Sequence, residues 1–407
     1  MGWASDGVYA GSQRASWPAL MRFGNDTTAI SLPLIQSPGC TSPVLAPIAD
    51  GKRLSGEPSI GSSECAPNVE GVHLPAQNVA IAGALASDAL QRPPENASLV
   101  NTPWYERVLP VGTTQVTAAL AQKPTLVSIE LGGNEVLKAS SGLVIPDGTV
   151  VPFVEFEAAF DAVLDAVGAA HPKVLVFGVP TDARKFPLLR RGDAIFADSA
   201  EFAALHVDVS SDCKDSPNYV NVAAKSPFFA MSAAQRFAHG LPNPVFSCAD
   251  VPGATDLVLT PADIDAVNAI LAQMADHAKQ EAAKRGYAFA SLGALYDKPN
   301  LQPATYSVIA QLTSATPFGD YISLDGVHPT AKGQGLLAAA AAEALNAKYP
   351  GIAALAVAPL TDLSTQLVQP VAPSMALAWA RQLAAANRGD QLPTCGVPGG
   401  CFLTARR

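Results

Sequence analysis

Apolar residues along this chain fall into two kinds of stretch. Short, nearly continuous runs at 78–84, 125–131, 173–179 and 287–292 have the length of strands buried on both faces. The first ends at Gly83 and is followed by Ser87 and Asp88, so it reads as a strand passing into a helix; the second ends at Gly132-Gly133-Asn134 and the third at Pro180. Between them, residues 156–169 space their apolar positions for a helix. Thr260 stands as an N-cap with Pro261 at the first helical position, and Ile264, Val267, Ile270, Leu271 and Met274 share one face that ends near Gly286. An Ala-rich helix is predicted over 333–349. Strand and helix alternate, and this order predicts an α/β fold with a parallel sheet covered by helices on each side.

Two long segments break the alternation. Residues 24–76 repeat Pro, Gly and Ser without periodicity and read as a long loop or insert. Residues 185–253 are irregular and read as an inserted subdomain or lid. Beyond 351 the chain is Pro-rich, with one further helix predicted at 374–387. The expected organisation is one main domain over 1–355, carrying both inserts, and an appendage over 356–407.

Composition narrows the classes. Of the 407 residues 49% are hydrophobic and 15% charged, which permits a large packed core. The net charge is −9 and no Lys/Arg run is dense enough to follow a phosphate backbone, so nucleic acid is not an expected partner. No apolar run of about 18 residues is present for a membrane-spanning helix, and the first residues lack the apolar core of an export signal. The six cysteines nevertheless form close pairs in sequence, Cys40 with Cys65, Cys213 with Cys248 and Cys395 with Cys401. These favour disulfides and an oxidising compartment, extracellular, periplasmic or cell-surface. Buried or free thiols are the alternative, and a metal site is disfavoured because no pair has C-x-x-C spacing.

The candidate chemistry centres on His328. Five other histidines, His73, His171, His206, His239 and His277, lack a catalytic partner nearby in sequence. Asp325 precedes His328 by three residues in a loop bounded by Gly326 and Pro329. A carboxylate there can turn back to one ring nitrogen, fix the tautomer and leave Nε2 to take a proton from a serine hydroxyl. The alternative is that Asp325 only shapes the turn before the next helix. Acyl transfer also needs donors for an oxyanion. The Gly83 backbone N–H and the Asn134 amide are candidates, both past predicted strand ends, where open α/β sheets place ligands; an ordinary turn glycine and a helix cap are the bland alternatives.

Three segments together resemble the SGNH or GDSL hydrolases: residues 78–88 the glycine block, 129–137 the asparagine block, and 323–333 the Asp-x-x-His block. In the second, Glu135 stands where that family usually has Asp, and Gly133 where a second Asn is common. The resemblance implies a three-layer α/β/α, flavodoxin-like sheet and a serine esterase or lipase-like activity on a small-molecule, lipid or carbohydrate ester, with Asp325, His328, Gly83 and Asn134 in the roles above and no metal or cofactor. Gly2 to Gly7 and Gln13 to Leu20 resemble the part of the first block that follows its serine. The nucleophile and first strand are therefore expected just upstream of Met1, with Ser5 a weaker substitute because no strand precedes it. The rival expectation is an inactive remnant of the fold acting as a binding or surface protein. Phe186, Phe202, Phe228, Phe229 and Phe237 of the second insert are either an apolar wall for an acyl chain or core.

Overall fold

A computed structural model of the protein describes residues 2–23, 30–58, 65–98, 102–297 and 306–355. The helix predicted at 374–387 and the pair Cys395 and Cys401 lie outside the described residues. Among the described residues there are ten strands: β1 (Met21–Phe23), β2 (Leu126–Glu130), β3 (Lys173–Gly178), β4 (Leu189–Arg191), β5 (Asp208–Val209), β6 (Tyr219–Asn221), β7 (Val245–Phe246), β8 (Val258–Leu259), β9 (Ala288–Ser291) and β10 (Ala353–Leu355). They form a mixed α/β fold with four small sheets. The central one is parallel, in the order β2-β3-β9, with Leu126 opposite Lys173 and Leu175 opposite Ala288. An antiparallel β4-β6-β8 sheet, a β5-β7 pair and a β1-β10 pair complete the set.

β3 is the centre of the core because its side chains alternate between two faces. Val174 and Val176 enter a cluster with Ile129 of β2 and with Phe156, Phe160, Leu164, Leu271 and Met274 from the helices Phe153–Gly168 and Pro261–Arg285. Leu175 and Phe177 enter another with Trp17, Leu337, Ala338 and Leu345, the last three from the helix Ala331–Lys348. Each such side chain contributes roughly 1.5–3 kcal/mol by leaving water. The Pro261–Arg285 helix starts where the sequence predicts. The Thr260 hydroxyl accepts from the Asp263 N–H, the Asp263 carboxylate accepts from the Thr260 N–H at 2.9 Å, and Gly286 ends it at φ +70°.

The strand predicted at 78–84 does not form. Its polar groups are taken by scattered partners instead of a ladder: Asn78 N–H donates to the Ser31 carbonyl, Ala80 N–H to Asn78 Oδ1, and the Gln115 amide to the Val79 carbonyl. The helix after it is a single turn, Asp88–Gln91. Ile81 and Ala84 are held by a third cluster with Val8, Ile35, Trp104 and Tyr105, which also anchors much of the first insert beside the Cys40–Cys65 disulfide.

The second insert is more regular than its sequence pattern. It contains β4 to β7 and a 17-residue helix, Val222–Ala238, and is stapled by the Cys213–Cys248 disulfide. Three of its phenylalanines, Phe202, Phe228 and Phe229, are linked through Phe246. Phe202 is fully buried against Phe246, Phe229 packs on the same ring, Phe186 packs edge-on to Tyr296, and Phe237 lies exposed against His206. Among the described residues no helix is long and apolar enough to cross a membrane.

Candidate active site

The Asp-x-x-His loop follows from turn chemistry. Ile322 and Pro329 form a bridge, the Ser323 N–H donates to the His328 carbonyl at 2.8 Å, and Gly326 turns the chain at φ +73°. Tyr296, in the short helix after β9, donates its hydroxyl hydrogen to the Val327 carbonyl at 2.5 Å. The Leu188 N–H, between β3 and β4, donates to the Gly326 carbonyl. These contacts seat the loop beyond the C-terminal ends of the central strands.

Within it, Asp325 Oδ2 lies 3.0 Å from His328 Nδ1. The carboxylate accepts five hydrogen bonds in all: Oδ1 from the Val327 N–H, the His328 N–H and the Ser323 hydroxyl, and Oδ2 from the imidazole and the Asp6 N–H. Burial opposes its ionisation, but the His328 ring and these donors outweigh that and hold its pKa down to about 2. An ionised carboxylate can only accept, so Nδ1 is the donor in this contact. The His328 side chain is 33% exposed.

The second half of the site is built on the 83–88 and 132–137 segments. Gly83 sits at φ +76°, and nothing lies within 4 Å of where a Cβ would be, so the backbone angle and not crowding selects glycine. Asn134 Nδ2 donates one hydrogen to the Ala84 carbonyl at 2.8 Å, which brings the two candidate donor segments together. Glu135 is buried beside it and accepts from the Ala86 N–H at 2.6 Å; burial pushes its carboxyl pKa up. Trp3 joins the two halves, with its ring 6.0 Å from that of His328 and 5.0 Å from that of Trp104, a member of the cluster that holds Ile81 and Ala84.

Ser5 is placed on the carboxylate side of the pair. Its N–H donates to Ser323 Oγ at 2.9 Å and its hydroxyl oxygen faces the Leu324 N–H at 3.4 Å. Sequence reasoning missed Asp6, Ser323 and Tyr296 as neighbours of the pair. Of these only Ser323, two residues before Asp325, offered a local signal. It also missed that His277 has a partner, Asp161, at 2.8 Å across 116 positions of chain. The acidic side chain nearest two cysteines, Asp212 beside Cys213 and Cys248, offers a metal no thiolate because the two sulfurs are bonded to each other.

Comparison with protein-family models, curated proteins and solved structures found no match to this chain.

Proposed function

We propose that the protein is a serine-type ester hydrolase with an arrangement similar to the SGNH hydrolases. The observation that carries this reading is the Asp325–His328 geometry: an ionised carboxylate 3.0 Å from Nδ1 of a histidine whose side chain is partly exposed. Two further features support it. Asn134 has a second amide hydrogen beyond the one given to Ala84, and β2 is an edge of the central sheet with Ser128 and Glu130 exposed on it. A flavodoxin-like, three-layer sheet that presents a serine hydroxyl to His328 is the architecture this reading implies.

In the reaction, the serine oxygen attacks the ester carbonyl and its proton passes to His328 Nε2. The carbonyl electron pair moves onto oxygen, where the Gly83 N–H and the Asn134 amide receive it. Collapse breaks the C–O bond, and the departing alkoxide takes the proton from His328. Water then repeats the sequence on the acyl-enzyme and releases the acid. The chemistry needs no cofactor. Acyl-lipid and acetylated carbohydrate esters are the substrate classes this reading proposes, and the disulfides favour an extracellular, periplasmic or cell-surface setting.

The test is hydrolysis of p-nitrophenyl acetate and butyrate by the protein, with a fluorophosphonate label to find its serine. Turnover that is lost in His328→Ala is expected. Turnover retained in His328→Ala removes that residue from the mechanism. A folded protein that is inert and takes no label favours the second reading, a binding protein, for which the engagement of the Ser5 hydroxyl by Leu324 speaks.

A further inference from the structure

We infer that Arg53 is a positioning residue for the Asp325–His328 pair, acting through Asp6. This rests on the reading of those two residues as a catalytic pair. Ser5 and Asp6 have φ of +53° and +59°, left-handed values that L side chains adopt at a cost of about 1 kcal/mol or more each. They form the tip of a turn closed by Ala4 and Gly7, whose N–H groups each donate to the other's carbonyl at 2.9 and 3.1 Å. A turn of two strained residues needs an anchor, and Arg53 supplies it.

The Arg53 side chain is 4% exposed, with Nη2 2.8 Å from Asp6 Oδ2. Its Nη1 donates to the Ser42 carbonyl at 2.6 Å and to the Asp6 carbonyl at 3.3 Å. The segment that carries it is fixed in turn: the Arg53 N–H donates to the Glu57 carbonyl, and the Val44 N–H to the Ser5 carbonyl. Gly7 lies so close that an added Cβ would stand 2.0 Å from the Thr41 carbonyl oxygen.

From this anchored turn two N–H groups reach the site. Asp6 donates to Asp325 Oδ2 at 3.2 Å, the same oxygen that faces His328 Nδ1. Ser5 donates to Ser323 Oγ at 2.9 Å, and that hydroxyl donates on to Asp325 Oδ1 at 3.1 Å. Both carboxylate oxygens are thus oriented from one turn, and the guanidinium also offsets the Asp6 charge that would otherwise repel Asp325.

The test uses the full chain labelled with ¹⁵N at histidine, without substrate, following the His328 Nδ1–H cross-peak. Arg53→Ala should displace or broaden that peak, and Arg53→Lys should restore it in part. Asp6→Asn keeps the N–H and a side chain tolerant of the left-handed region while removing the ion pair, and should displace the peak in a chain whose circular dichroism is unchanged. A purely structural Arg53 would lower the melting temperature and leave the peak in place. An unchanged His328 peak in folded Arg53→Ala, or in Asp6→Asn if Arg53→Ala does not fold, overturns the inference. Because no turnover is read, that outcome is separate from the result of the ester assay.

Discussion

The Leu188 N–H donates to the Gly326 carbonyl oxygen at 3.0 Å, tying the start of the second insert to the one residue pair that separates Asp325 from His328. Gly326 has φ +73°, and a Cβ there would stand 2.8 Å from the Leu188 backbone. Strain and collision therefore add at this position. Gly326→Ala should lower unfolding stability by roughly 2–4 kcal/mol, whereas Gly83→Ala, with the same kind of φ but open space around it, should cost only about 1 kcal/mol. Paired urea titrations check the ranking; equal costs would show that Leu188 yields.

Acid stability should report Asp325. Its native pKa of about 2 lies below the roughly 3.9 of an exposed aspartate, so the stabilisation is full above about pH 4 and is lost as pH falls through about 2. The amount is roughly 2–3 kcal/mol. Asp325→Asn should be less stable at neutral pH and nearly flat over that window, as thermal midpoints against pH would reveal. The same ionisation implies that the acid limb of any rate profile belongs to a group other than Asp325.

Glu135 should behave in the opposite sense. Burial raises its pKa, so the fold is favoured by the protonated form and stability declines as pH rises through the native value. Glu135→Gln can still accept from the Ala86 N–H and should match or exceed the parent once Glu135 is ionised, with a profile that stays flatter as pH rises. Glu135→Ala leaves that N–H without its partner and should cost about 1–3 kcal/mol. Denaturant midpoints of the two variants at two pH values decide it.

The Cys213–Cys248 disulfide joins positions 35 apart in the second insert, and the Asp212 carboxylate beside it accepts from the Cys248 N–H at 2.8 Å. Replacing both cysteines by serine should cost about 2–4 kcal/mol. Loss of protease resistance within 185–253 ahead of the central sheet is the expected pattern, read by limited digestion and mass spectrometry.

What the sequence made legible is what short-range pattern determines. The cap at Thr260, the stop at Gly286 and the runs that became β2, β3 and β9 all depend on neighbours within a few positions, as does the loop that turns Asp325 onto His328. The 78–84 run has the same local character, but a strand also requires a neighbour, and its partners turned out to be Ser31 and Gln115. The β1-β10 pair joins positions more than 300 apart, and Asp6 meets Asp325 across 319. No periodicity announces such contacts. In the second insert, two- and three-residue strands are too short to alternate visibly, so its regularity was hidden although its disulfide was not.

β3 sends Val174 and Val176 to one layer and Leu175 and Phe177 to the other. A single codon inserted early in this strand would therefore exchange the occupants of both layers at once, pressing phenylalanine into space shaped for valine and leaving a void where phenylalanine had been. A change of length at 173–178 therefore disrupts both layers, while the ladder-free 78–84 stretch has no register to lose.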